Sequence, residues 1–233
     1  YFSTTLAELT GHHISTDALE ALFGNSAKLE AQLRKVITSD KLIYQIPKNY
    51  NADFLGDILA KKLAQSLYIF YKDWLKKQVE YRIFDLYPET DDYSSQGIVY
   101  KKLGTVSFQE REYSLYIGGI ADLRVELENK AIIVDFKTGS HDYRQLCIYE
   151  WYYYLLDEIL PADNVTSLFW NILDPTKRTE GVNEEKRQKL KEQIFEHFTY
   201  CLANGYSTIT KVTDRLRLQN VTRTDLLREK RGL

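Results

Sequence analysis

The chain reads as an α/β domain in which a mixed β-sheet is flanked by helices. Three observations predict this. From residue 54 onward the pattern runs helix, strand, further strands, helix, strand, helix. The apolar run Ala131-Ile132-Ile133-Val134 has the signature of a buried strand. Hydrophobic residues are 44% and charged residues 27% of the 233, an ordinary globular balance that can build a core without disulfides or a structural metal.

Residues 1–50 read as a mostly helical N-terminal appendage. Ser15-Thr16-Asp17 can cap a helix carrying Leu19, Leu22 and Phe23. Gly24-Asn25-Ser26 stops it and starts another through Leu29, Leu33 and Val36. Residues 41–46 read as extended before Pro47. Residues 51–203 form the expected core. Its strongest helix spans 54–77, with Ile58, Leu59, Leu63, Leu67, Phe70, Tyr71 and Trp74 at helical spacing and Asn51 or Asp53 as caps. Residues 79–87 alternate as a strand, and 88–97 form a polar loop. Two strands are expected within 98–108 and 113–127, and the run at 131 follows. A helix begins at Ser140 or Asp142 and continues to about 159. Residues 165–173 form another strand. Residues 183–203 form a charged amphipathic helix, which Asn204-Gly205 can end. Residues 204–233 read as a basic C-terminal extension packing on the core. It includes a short helix with Thr222 and Asp225 spaced as a capping box. Residues 211–233 hold seven Lys/Arg against three acids, a balance suited either to a nucleic-acid path or to a solvated face.

The chemistry concentrates in Val134-Asp135-Phe136-Lys137-Thr138, which begins twelve residues after Asp122 of Ala121-Asp122. Side chains in a strand alternate with period two, so Asp135 and Lys137 share a face. With Asn129-Lys130 as a two-residue hairpin loop, Glu128 opposes Ala131 and Asp122 opposes Lys137. Directly opposed residues point the same way. Two carboxylates and a lysine then converge, and buried charges this close need a partner, which a divalent cation would supply.

Several classes are set aside. A net charge of −2 carries no global signature of nucleic-acid binding, although a local basic groove would suffice. Cys147 and Cys201 are the two cysteines; they exclude a disulfide framework or a four-thiolate site and point to a reducing, cytoplasmic setting. No stretch approaches the ~20 apolar residues of a membrane span, and the N-terminus lacks a signal-peptide pattern. A start at Tyr1 and the lack of methionine read as an excised domain.

Three motifs in order carry a resemblance: Gly118-Gly119-Ile120-Ala121-Asp122-Leu123-Arg124, Ile133-Val134-Asp135-Phe136-Lys137-Thr138-Gly139, and Gln145-Leu146-Cys147-Ile148-Tyr149. Together they resemble the PD-(D/E)xK nuclease superfamily, closest to its RecB/AddB-type branch. The match is tight over 118–149 and loose over about 54–203. The resemblance implies a restriction-endonuclease-like core of αβββαβ order and a metal-dependent deoxyribonuclease, an exonuclease in type, that acts on DNA in repair or recombination. It implies Mg²⁺ or Mn²⁺ as cofactor, with Asp122, Asp135 and the Phe136 carbonyl as metal ligands; Glu80, at the start of the strand expected over 79–87, is a further candidate oxygen ligand, with a strand-edge charge as the plainer reading. Lys137 would orient the attacking water or stabilise developing charge. Gln145 and Tyr149, on one helix face at i and i+4, would position the nucleic acid or the lysine. No ATP-binding motif is present, so any helicase subunit or helicase-like domain lies outside this chain.

The chain departs from that branch at Ala60, which stands where a Gly-x-x-x-His stretch would place a metal-binding histidine. Asp57 is a possible substitute, with a helix surface as the plainer reading. His12-His13 and His141 read as surface histidines. Trp151-Tyr152-Tyr153-Tyr154 suits either base stacking or a core. The alternative to a nuclease is a catalytically silent nuclease-like module that binds DNA or a partner protein. A ribonuclease or RNA-binding role is the second alternative.

Overall fold

The computed structural model describes residues 11–39, 52–79, 84–88, 100–139 and 142–204. Strand β1 (Gly11–Ile14) is followed by helices α1 (Thr16–Phe23) and α2 (Ser26–Ser39). Helix α3 (Ala52–Ile69) continues through a π-wound turn (Phe70–Leu75) into Lys76–Val79. Then come β2 (Phe84–Pro88), β3 (Lys101–Phe108), β4 (Arg111–Ile117), β5 (Leu123–Leu127) and β6 (Lys130–Lys137). Helix α4 (Tyr143–Glu150) also runs into a π-wound turn (Trp151–Leu155). It leads to β7 (Val165–Asn171), β8 (Arg178–Glu180) and α5 (Glu184–Ala203).

Six strands form one sheet in the order β1-β2-β5-β6-β7-β8. Among the described strands only β6 and β7 pair in parallel. A parallel pair needs a long crossover, and α4 supplies it. Strands β3 and β4 form a separate hairpin. Its Gly104 lies under Phe195 of α5, where a Cβ would come within 2.4 Å of the ring.

Alternation in the central strands builds two cores. Leu123, Val125, Ile132, Val134, Leu168 and Trp170 face one way and pack on α1, α2 and α3. Ala131, Ile133 and Val165 face the other way, against Tyr149 and Tyr154 of the α4 segment. Phe169 joins that second face with Leu146, Cys147 and Leu190. The result is helices, sheet, helices. The N-terminal helices add Leu19, Phe23, Leu29, Leu33 and Ile37 to the same cluster as α3, and β1 pairs with β2.

Four sequence expectations are corrected. The β5–β6 turn is Glu128-Asn129, with Leu127 opposite Lys130 and Glu126 opposite Ala131, one residue earlier than the expected loop. The opposed pairs therefore shift by two, which preserves the faces and brings Asp122 level with Asp135 rather than Lys137. The expected strand over 113–127 is two strands in different sheets, broken at 118–122. Val79 closes a helix instead of opening a strand; it and Leu75, four residues earlier, are fully buried. The helix from Asp142 ends its π-wound turn at Leu155, short of 159. The expectations for residues 41–46, the 89–97 part of the polar loop, and the extension beyond Asn204 lie outside the described residues.

Candidate active site

Asp135 and Lys137 end β6 on the face covered by α4. Asp135 is 1% exposed, and its Oδ2 forms an ion pair with Lys137 Nζ. The ammonium also lies 5.9 Å from the centre of the Phe169 ring. Asp122 stands immediately before β5. The Phe136 N–H donates to its Oδ2 at 2.6 Å, so the main chain of one strand orients the carboxylate of the other.

Helix α4 closes the site from above. The Asp142 side chain caps it, accepting from the Arg144 N–H at 3.0 Å. Gln145 and Tyr149 then share one helix face. Gln145 Nε2 donates to Asp135 Oδ1 at 3.3 Å and to the Tyr149 hydroxyl at 2.7 Å. The Tyr149 hydroxyl donates to the same Asp135 oxygen at 3.5 Å. Tyr149 also packs against Gly119; a Cβ there would sit 2.8 Å from the ring.

Burial pushes the Asp135 carboxyl up to about 6, and the Asp122 charge adds to the rise. Lys137 opposes both effects without cancelling them. The Lys137 ammonium pairs with Asp135, and the Asp122 charge stands beside that pair. The buried Asp135 Oδ2 receives no hydrogen bond, only the ion pair. A buried oxygen of this kind, raised in proton affinity beside a second carboxylate, fits a hard divalent cation. Asp122 and Asp135 are the side chains that would hold it. No group of three or more His, Cys, Asp or Glu placed to hold a metal occurs among the described residues.

The structure therefore brings Asp122, Asp135, Lys137, Gln145 and Tyr149 together. Phe136 contributes its main chain here; its ring turns to the opposite face, 5.3 Å from Phe70 between centroids. Glu80 and His141 lie outside the described residues, as do the side chains of His12 and His13. Asp57 is paired with Arg34 at 2.9 Å on the helical surface. Ala60 is fully buried in the cluster on the face away from Asp135, so a histidine there would meet core side chains instead of the site.

The aromatic run is used inside the protein. Trp151 and Tyr154 are buried, and the Tyr154 hydroxyl donates to Glu126 at 2.8 Å. Within that run Tyr153 reaches the loop before β5. Its hydroxyl donates to the Gly119 carbonyl and accepts from the Ala121 N–H, both at 3.2 Å. Its ring also carries the Arg124 guanidinium 4.2 Å from the centroid. The available signal was the stripe Gln145, Tyr149, Tyr153 at steps of four.

The model of the PD-(D/E)XK nuclease superfamily matches residues 11–219. No curated protein matches the chain. Among solved structures, the crystal structure of SSO0001 is 17% identical, covering 72% of this chain and 68% of its own, with a TM-score of 0.23. Among the described residues no helix is long and apolar enough to cross a membrane.

Proposed function

Because this chain belongs to the PD-(D/E)XK nuclease superfamily, we propose that it is a divalent-metal-dependent nuclease that hydrolyses DNA phosphodiester bonds. The observation that carries the proposal is the buried carboxylate of Asp135, on which Lys137, Gln145 and Tyr149 converge beside Asp122. The RecB/AddB type is supported by the order and spacing of the three motifs. A role in repair or recombination, exonucleolytic action and a helicase partner extend that reading by resemblance alone.

Asp122 and Asp135 are proposed to hold Mg²⁺ or Mn²⁺, with the Phe136 carbonyl and Glu80 as further oxygen donors. A cation bound there would lower the pKa of its water and offset phosphate charge. The protein's own groups do the rest. The Phe136 N–H holds the Asp122 carboxylate in place. Gln145 and Tyr149 donate to Asp135 Oδ1 and fix its rotamer. The Lys137 side chain is 26% exposed, so its ammonium is within reach of substrate. It can donate to an attacking water or to a phosphate oxygen as charge develops.

A catalytically silent, nucleic-acid-binding module is the second reading. It is favoured by the lack of a third acidic or histidine ligand among the described residues. The deciding experiment incubates the chain with labelled single- and double-stranded DNA in Mg²⁺, Mn²⁺ or chelator. Cleavage that chelator abolishes supports the nuclease. Asp135→Ala should then lose both cleavage and calorimetric Mn²⁺ binding. Lys137→Ala should keep Mn²⁺ binding and turn over about 10²–10³-fold more slowly. DNA binding without cleavage under every metal condition would favour the silent module.

A further inference from the structure

We infer that Tyr153 is a positioning residue for Asp122, acting through the Gly118–Ala121 loop; this rests on the nuclease reading above. The loop is where the chain leaves the β3–β4 hairpin and enters the main sheet. It has no strand pairing of its own, yet it delivers Asp122 to the site. Two side chains of the α4 segment hold it. Tyr149 blocks it from above at Gly119. Tyr153 bridges it, with one hydroxyl bonded to both the Gly119 carbonyl and the Ala121 N–H. A single hydroxyl therefore satisfies a donor and an acceptor of one short loop, immediately before a candidate ligand.

The geometry of α4 explains how. Gln145 and Tyr149 reach Asp135 from the regular helix. The helix then widens into the π-wound turn at Trp151–Leu155, a winding frequent at functional sites. Within it Tyr153 addresses the loop while the adjacent Tyr154 addresses Glu126 on β5. Arg124 stacks on Tyr153 and pairs with Glu126 at 2.9 Å, which fixes the ring in place. One helix thus orients both carboxylates: Asp135 by direct hydrogen bonds and Asp122 through the loop. Groups that orient ligands in this way typically change metal affinity or activity about 10–100-fold when removed.

The test is Tyr153→Phe, which removes the hydroxyl and keeps the ring on Arg124. Two readouts are needed. In the metal-free chain, hydrogen exchange at the Ala121 amide should speed up at least tenfold, with the melting temperature nearly unchanged. In the presence of Mn²⁺, the half-saturating concentration should rise about tenfold, by calorimetry and by cleavage rate, while the rate at saturating metal stays near native. A native chain that takes up no metal sinks the nuclease reading, and with it the ligand role of Asp122. A native chain that binds Mn²⁺ alongside a Tyr153→Phe variant of equal affinity sinks this inference alone. Unchanged exchange at Ala121 overturns it whatever the metal does, and loss of folding in Tyr153→Phe would show the hydroxyl to be structural instead.

Discussion

Asp135 is the residue at which function opposes stability. Its folded carboxyl titrates near 6 against an ordinary 3.8, so the folded chain holds that proton more tightly than the unfolded chain. The resulting stabilisation is fully present below 3.8 and lost as pH rises through about 6. At about 1.4 kcal/mol per tenfold change in proton affinity, the loss is roughly 3 kcal/mol. Burial also raises Glu150, which adds to the same trend, so the variant Asp135→Asn is needed to separate them. Urea unfolding of the metal-free chain should show native stability falling between pH 4 and 7, and a shallower fall for Asp135→Asn. Equal slopes would mean that Asp135 is ordinary. Gly119 offers a second check at this scale. Gly119→Ala forces a Cβ against the buried Tyr149 ring and should cost about 1–3 kcal/mol as well as cleavage. Gly139→Ala meets nothing within 4 Å and should be neutral in stability. The convergence on Asp135 was legible in the sequence because it needs only two backbone periods: two residues along β6 and four along α4. The bridge from Tyr153 was not, since its partners are main-chain atoms of a loop that no periodicity marks.

At the scale of elements, apolar pattern gave strands and helices but not their ends. Ile117 and Ala121 continue an alternation that hides the break between β4 and β5, because both are buried in their separate places. The β5–β6 turn fell one residue early, yet the site survived, since displacing opposed residues by two keeps every side chain on its face. Ala60 is the instructive case. Its place in a familiar motif pointed to the metal, whereas its packing points to the core shared by α2 and α3. Ala60→His should therefore destabilise the chain by about 1–3 kcal/mol, from overpacking and a buried imidazole. It should leave Mn²⁺ affinity unchanged. Melting and calorimetry on one preparation decide this; tighter metal binding would put α3 at the site after all.

At the scale of the molecule, one buried charge network joins the layers on the α4 side. Glu150 is fully buried and follows Tyr149 directly, so α4 presents the site with one residue and is anchored by the next. Glu150 accepts from Ser167 of β7 at 2.5 Å and from Arg187 of α5 at 2.7 Å. Arg187 reaches on to Glu184 and to the Val182 carbonyl. Removing one member leaves its buried partners without their hydrogen bonds. Arg187→Ala should cost about 3–5 kcal/mol, read as a lower urea midpoint at unchanged slope. Replacing the whole set by apolar groups, as Glu150→Leu with Ser167→Ala and Arg187→Met, should recover most of that loss, because well-packed hydrophobic residues often match or exceed a buried ion pair. If the single variant proves neutral, Glu150 must be neutral in the folded chain, held by Ser167 and a proton. The direction of its pKa, raised by burial against the pull of Arg187, makes that the outcome to exclude, and repeating the comparison at pH 5 and pH 8 does so. A charged Glu150 makes Arg187→Ala costlier at the higher pH, whereas a carboxyl already neutral at both would give the same cost at each.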